Sequence, residues 1–238
     1  MWLGIFNVIK TFIKLITFGR TCKGSTFFQA TPKLEIVKIQ SVREVYKQGW
    51  INRKRTTAPT EIVIHGTGGG TSVKALVDWM FGGQFADKYN NGVGLFHYVI
   101  GRGDSKGEEQ DGLVAEIIDP DYWVHHGTSG QRGAQVQIGI ELMNPSNINS
   151  TKYTDAQYES LYRLIFEVLI KRYPAIKTIV GHKWSIWHYN SAATAANNDK
   201  GCPGKGFDWG QFVALCESKG IQFKDISKGG ERIGYEII

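Results

Sequence analysis

Between Asp155 and Tyr173 the spacing of apolar residues leaves little choice of structure: Leu161, Leu164, Ile165, Val168 and Leu169 recur at three and four residues, which puts them on one face of an α-helix. Thr154 and Gln157 supply a capping box at its start, and Pro174 stops it. The rest of the chain must build around this stripe. Short β-rich runs occur at Glu61–Ile64, Leu95–Ile100, Leu113–Ile118, Val136–Leu142 and Lys177–Val180, with glycine-bearing turns between the earlier ones. Helices are predicted over Ser72–Phe81 and Trp209–Lys219. Strands alternating with helices define an α/β class, expected here as a single domain with a mixed central β-sheet flanked by helices.

Seven Trp, ten Tyr and twelve Phe in 238 residues supply enough apolar area for a real core, and no low-complexity tract competes with it. Met1–Phe18 sets Asn7, Lys10, Thr11, Lys14 and Thr17 at helical spacing against an apolar arc, which predicts an N-terminal amphipathic helix. Two lysines interrupt the run, and it is too short to span a bilayer, so it reads as a membrane-surface anchor, a docking helix for a partner assembly, or a helix packed on its own domain. No cleavable signal peptide is expected from it. The expected layout is therefore helix 1–18, linker 19–33, main domain 34–225 and a C-terminal tail 226–238. The net charge of +6 favours polyanionic partners, whether nucleic acid, an anionic membrane surface or cell-wall polymers, and charge alone does not choose among them.

Three cysteines, Cys22, Cys202 and Cys216, contain no C-x-x-C pair and imply no disulfide framework, so a thiol is available as a ligand. Zinc hydrolysis requires three protein ligands held on strand ends or tight turns, with a fourth position open. His65, His182 and Cys202 each occupy such a place, at the end of a strand or in a Gly/Pro turn. Taken singly, a histidine at a strand end is more often a hydrogen-bonded structural residue.

Their order among other short motifs changes the weighing. I-V-I-H-G (62–66), F-H-Y-V-I (96–100), V-H-H-G (124–127), I-G-I-E-L (138–142), Y-T-D-A-Q-Y (153–158), Gly181-His182 and K-G-C-P-G (200–204) followed by Phe207-Asp208-Trp209 occur in succession. This ordered set resembles the amidase-2 family of zinc N-acetylmuramoyl-L-alanine amidases, which includes phage endolysins and is related to peptidoglycan recognition proteins. The likeness runs over roughly Glu61 to Phe212. It implies His65, His182 and Cys202 as ligands of Zn²⁺, with Cys202 at a position where other members carry Asp. It implies Glu141 as the catalytic acid–base, Lys200 as the group that steadies the oxyanion, and His126 as a residue lining the substrate groove. Phe96 stands where some phage members use a tyrosine for proton transfer, which fits the glutamate-dependent variant of the family.

The partner implied is bacterial peptidoglycan, with no nucleic acid, and the place of action is the bacterial cell wall, in phage lysis, in a virion or in the bacterial envelope. His97, on a strand of alternating apolar residues, is expected to be a core histidine, and His188 has no motif support. Trp184, Trp187 and Tyr189 offer flat faces for sugar stacking and serve ordinary packing equally well. The run His65–Gly70 lacks a G-x-S-x-G nucleophile elsewhere and a G-K-[ST] ending, which excludes the serine esterase and phosphate-loop readings. A noncatalytic peptidoglycan-binding module, or a virion or envelope structural protein, is the remaining alternative, and Cys202 argues against the first.

Overall fold

A computed structural model describes residues 34–38, 54–81, 96–103, 110–124, 126, 130–189 and 201–238. The described residues fall within one compact unit, Leu34–Ile238. The expected helix 1–18 and linker 19–33 lie outside them, as does the segment 190–199.

The strands are β1 (Ile36–Lys38), β2 (Glu61–Gly66), β3 (Tyr98–Arg102), β4 (Asp111–Glu116), β5 (Gln137–Leu142), β6 (Thr178–Gly181), β7 (Phe223–Asp225) and β8 (Gly234–Ile237). They join in one sheet in the order β1-β4-β3-β5-β2-β6-β8-β7. β2 runs parallel to both β5 and β6, whereas the β3/β4, β6/β8 and β7/β8 pairs are antiparallel. The sheet is thus mixed, with a parallel centre buried on both faces. Accordingly β2 reads as a continuous run, with Ile62, Val63 and Ile64 fully buried.

Alternation along the strands sorts their side chains. Ile62, Ile64, Ile138, Ile140, Leu142 and Ile179 face one layer, built by helix α3 (Asp155–Tyr162), the π-helical stretch Arg163–Leu169, and helix α6 (Trp209–Ser218). Leu161, Leu164, Ile165, Leu169 and Phe212 fill that layer. Burying one such Leu or Ile contributes roughly 1.5–3 kcal/mol. Val63 faces the other layer with Val180 and Trp184 of helix α5 (His182–Tyr189), and Val73 of helix α1 (Val73–Phe81) packs there with Phe96, Val99, Ala115 and Met143. By the same two-residue period, His65 lies on the Val63 face and Glu141 on the Gly139 face of β5, opposite the main core.

The helix expected at Asp155–Tyr173 forms with its capping box intact, and its middle widens to π geometry before the short helix α4 (Ile170–Arg172). The N–H of Ile170 bonds to Ile165 O, and the wider turn brings Leu164, Ile165 and Leu169 to the core together. Two helices not expected from the sequence are α2 (Gly130–Val136) and α5. Residues 226–238, expected as a tail, instead carry β8, which pairs with β6 and would otherwise leave that strand as an open edge.

At the start of β2, Glu61 is 3% exposed and accepts hydrogen bonds from Gln137 and Thr178. Burial raises its carboxyl from 4.5 to about 7, against the lowering effect of those bonds. Stability from this group is therefore present below about pH 4.5 and lost as pH rises through about 7. Glu61→Gln keeps the shape without the charge, so its stability relative to the native chain should climb across that window by roughly 3 kcal/mol, an order-of-magnitude figure. Urea unfolding at pH 4.5 and pH 8 measures the difference, and a pH-independent gap between the two proteins would show that Glu61 does not titrate there.

Candidate active site

The parallel centre of the sheet brings the ends of three strands together. In register, His65 of β2 is paired with Glu141 of β5, and Ile64 of β2 with Gly181 of β6, the residue before His182. His65 is 2% and His182 6% exposed. Cys202 reaches the same point from a turn outside any strand or helix. One ligand atom from each of His65, His182 and Cys202 lies within 4.8 Å of the others. Cys202 Sγ is 2.8 Å from His182 Nδ1 and 3.8 Å from His65 Nδ1, and the two imidazole centroids are 4.4 Å apart.

Two imidazoles and a thiol suit a borderline-soft divalent ion, and a tetrahedral zinc with bonds of about 2.0–2.3 Å separates its donors by roughly 3.3–3.7 Å. The observed 2.8–3.8 Å spacings bracket that requirement. Around such an ion, three protein donors would leave one position for water or substrate, the pattern of hydrolytic rather than closed structural zinc sites. Cys216 has no part in it: it is fully buried, and burial pushes its thiol up to about 12.

His65 is held from behind. Its Nε2 lies 3.0 Å from His126 Nδ1, and the rings meet edge to face. His126 rests directly on β5 at Gly139, where a Cβ would come within 2.7 Å of the imidazole, so this strand position has no room for a side chain. His126 is 7% exposed. Gly139 opens a recess that the imidazole fills, and from it His126 meets the rings of His65 and His97. His97 is the core histidine expected: fully buried, with Nδ1 accepting from Gly139 N–H and Nε2 3.0 Å from Tyr122 O. Burial, and then the adjacent Arg55 charge, hold it well below the usual imidazole range, so it stays neutral.

Glu141 is half-buried beside His65. The hydroxyl of Tyr153, from the Y-T-D-A-Q-Y motif, donates to Pro203 O at 2.9 Å, next to Cys202. Burial and then the Glu141 charge push that hydroxyl far above its ordinary range, so Tyr153 remains a neutral donor. Trp184 is 5% exposed, packs on Val63 and Val180, and donates Nε1–H to Ile226 O, which makes it a core residue rather than a wall for sugars. Trp187 is covered by the Arg232 guanidinium at 4.9 Å. His188 is exposed and stacks on Trp184. Lys200 lies outside the described residues.

Two organising residues carry no motif in the sequence. Arg55 buries its guanidinium against the carbonyls of Pro120, Ala134, Gln135 and Gln137, tying the entry of β2 to the start of β5. Burial lowers its pKa to about 10. Asn149, 7% exposed with φ 53°, bonds through its side chain to Gly66 and Gly68 and through its carbonyl to Gly206. A basic lead-in and a polar loop were the available signals, and neither discloses partners so far away in the chain.

The architecture and donor set define a class: an α/β domain with a His/His/Cys cluster and a carboxylate at the ends of its central parallel strands. The family described as N-acetylmuramoyl-L-alanine amidase (Amidase_2) matches residues 55–205, and the chain belongs to it. Over 113 residues it is 37% identical to the 1,6-anhydro-N-acetylmuramyl-L-alanine amidase AmpD of Enterobacter cloacae and 34% identical to that of Citrobacter freundii, in each case over 44% of this chain and 52% of the relative. The chain thus spans about half the length of these curated relatives. The structure of N-acetylmuramoyl-L-alanine amidase LysC from Clostridium intestinale URNW shares the fold, with a TM-score of 0.50 and 19% identity over 77% of this chain and 97% of that one.

Proposed function

We propose that the chain is a zinc-dependent N-acetylmuramoyl-L-alanine amidase that hydrolyses the amide between the lactyl group of N-acetylmuramic acid and the L-alanine of the peptidoglycan stem peptide. The observation that carries the reading is the convergence of the His65, His182 and Cys202 donor atoms within 4.8 Å, beside Glu141, in a chain of the amidase family. When bound, zinc supplies Lewis acidity toward the scissile carbonyl and acidifies a water to about neutral pH. Glu141 accepts the proton of the attacking water and returns it to the departing alanine nitrogen as the C–N bond breaks, so that the new C–O bond leaves a carboxylate on the lactyl side. Lys200 pairs with the oxyanion formed between these events. His126 holds His65 in one ring orientation.

The complete donor set favours catalysis over the noncatalytic binding module. The cell wall is the place of action under this reading, and the catalytic domain begins near residue 34. An anionic membrane surface or virion assembly as partner of residues 1–18 rests on their amphipathic pattern alone. Mass spectrometry of purified peptidoglycan digested by the protein tests the assignment. Stem peptides with a free L-alanine amine should appear, vanish with chelator and return with zinc. Fragments cut within the glycan or within the peptide, or release that ignores chelator, would refute it.

A further inference from the structure

We propose that Asn149 is a positioning residue for the metal site, a clasp that holds the turn after His65 and the turn around Cys202 at one separation; this rests on the zinc reading above. Its side-chain Oδ1 accepts the N–H of Gly68 at 2.8 Å and its Nδ2 donates to Gly66 O at 3.2 Å, both in the turn that leaves His65. Its main-chain carbonyl accepts the N–H of Gly206 at 2.8 Å, in the turn directly after the one that carries Cys202. One residue therefore bonds to two ligand-bearing segments that are 137 residues apart in the chain.

The need for a clasp follows from how differently the ligands are supported. His65 ends a strand paired on both sides, and His182 begins a helix directly after β6. Cys202 has neither support. The residues that follow it bond to Tyr153, through Pro203 O and Gly206 O, and to Asn149, through the Gly206 N–H. There is no slack at the Asn149 contact. A Cβ on Gly204, which has φ 82°, would lie 2.5 Å from the Asn149 Cβ and 2.7 Å from its carbonyl oxygen. Asn149 is itself the one non-glycine with positive φ among the described residues, in a region that asparagine tolerates better than most side chains. A left-handed residue here turns its carbonyl toward one segment while its side chain reaches the other.

The test separates the clasp from a general contribution to folding. Asn149→Gly keeps the backbone conformation and removes the side-chain bridge, while Asn149→Asp keeps the acceptor for Gly68 and loses the donor to Gly66. By chelator competition, Asn149→Gly should bind zinc about 10–100-fold more weakly than the native chain, with Asn149→Asp between the two. The visible absorption of the cobalt-substituted protein should change in Asn149→Gly, which a merely structural residue would leave alone even as it lowered the melting temperature. In the metal-free protein, amide exchange should accelerate at Gly206 as well as Gly68, although the Gly206 acceptor is a main-chain carbonyl that every variant retains. Native zinc affinity and cobalt spectrum in Asn149→Gly would overturn the proposal, as would faster exchange confined to Gly68. Should the native chain itself bind no zinc, the zinc reading falls, and exchange at Gly206 alone decides whether Asn149 clasps the two turns.

Discussion

His182→Ala and Cys202→Ala are each expected to release zinc and to lower hydrolysis of the muramoyl-alanine amide by at least roughly 1,000-fold, equivalent to about 4 kcal/mol of transition-state stabilisation. The size of the effect follows from the site's construction. Its donors come from the end of β2, the residue after β6 and a turn outside the sheet, so the remaining two cannot close around the ion to replace a third. The fold should survive, because the sheet core of Ile62, Ile64, Ile138 and Ile140 lies on the face opposite His65. Cys202→Asp tests the same idea from the other side. A carboxylate preserves the charge and one anionic donor, so this variant should retain zinc and a measurable part of the rate where Cys202→Ala retains neither. Zinc content by elemental analysis, read beside the rate, decides the matter: alanine variants that keep one zinc per chain and near-native turnover would remove these residues from the ligand set.

Much of this site was legible because its residues sit at the ends of elements with strong local signals. A β-branched run announces β2 and places His65 at its end, and the Thr154/Gln157 box announces α3. What stayed hidden depends on distant partners. H-K-W-S-I-W-H-Y shows no apolar stripe, since α5 buries the neighbouring residues Trp184, Ser185 and Ile186 together, so its helical state comes from packing against the sheet. G-Y-E-I is too short to signal a strand and becomes β8 by pairing with β6. Arg55 reads as part of a basic surface segment, yet its acceptors lie 65 to 82 residues onward and make it a buried hub. The contact of His126 with His65 was not legible, because it depends on the recess at Gly139, a feature of β5 rather than of the V-H-H-G segment.

Glu141→Gln is expected to reduce turnover by on the order of 100-fold or more while fold, zinc content and affinity for muropeptide persist. The register puts Glu141 directly across from His65, and the alternation of β5 turns it to the Gly139 face, away from Ile138, Ile140 and Leu142 in the main core. A half-buried carboxylate at that point is costly unless it is hydrogen-bonded or handles a proton. Glutamine preserves its volume and an acceptor oxygen but cannot take a proton, so the variant removes proton transfer and little else. Neighbouring side chains do not replace it. Tyr153 is held neutral by burial and by the Glu141 charge and donates its hydroxyl hydrogen bond to Pro203 O. Phe96 is 5% exposed within the apolar cluster of Val99 and Val124 and has no group that could transfer a proton. His126 and His97 are committed to His65 and to the Gly139 backbone. If Glu141→Gln, with zinc bound, cleaves the amide at a near-native rate, the proton passes through another group, and Lys200 or solvent at the open zinc position becomes the next candidate to vary.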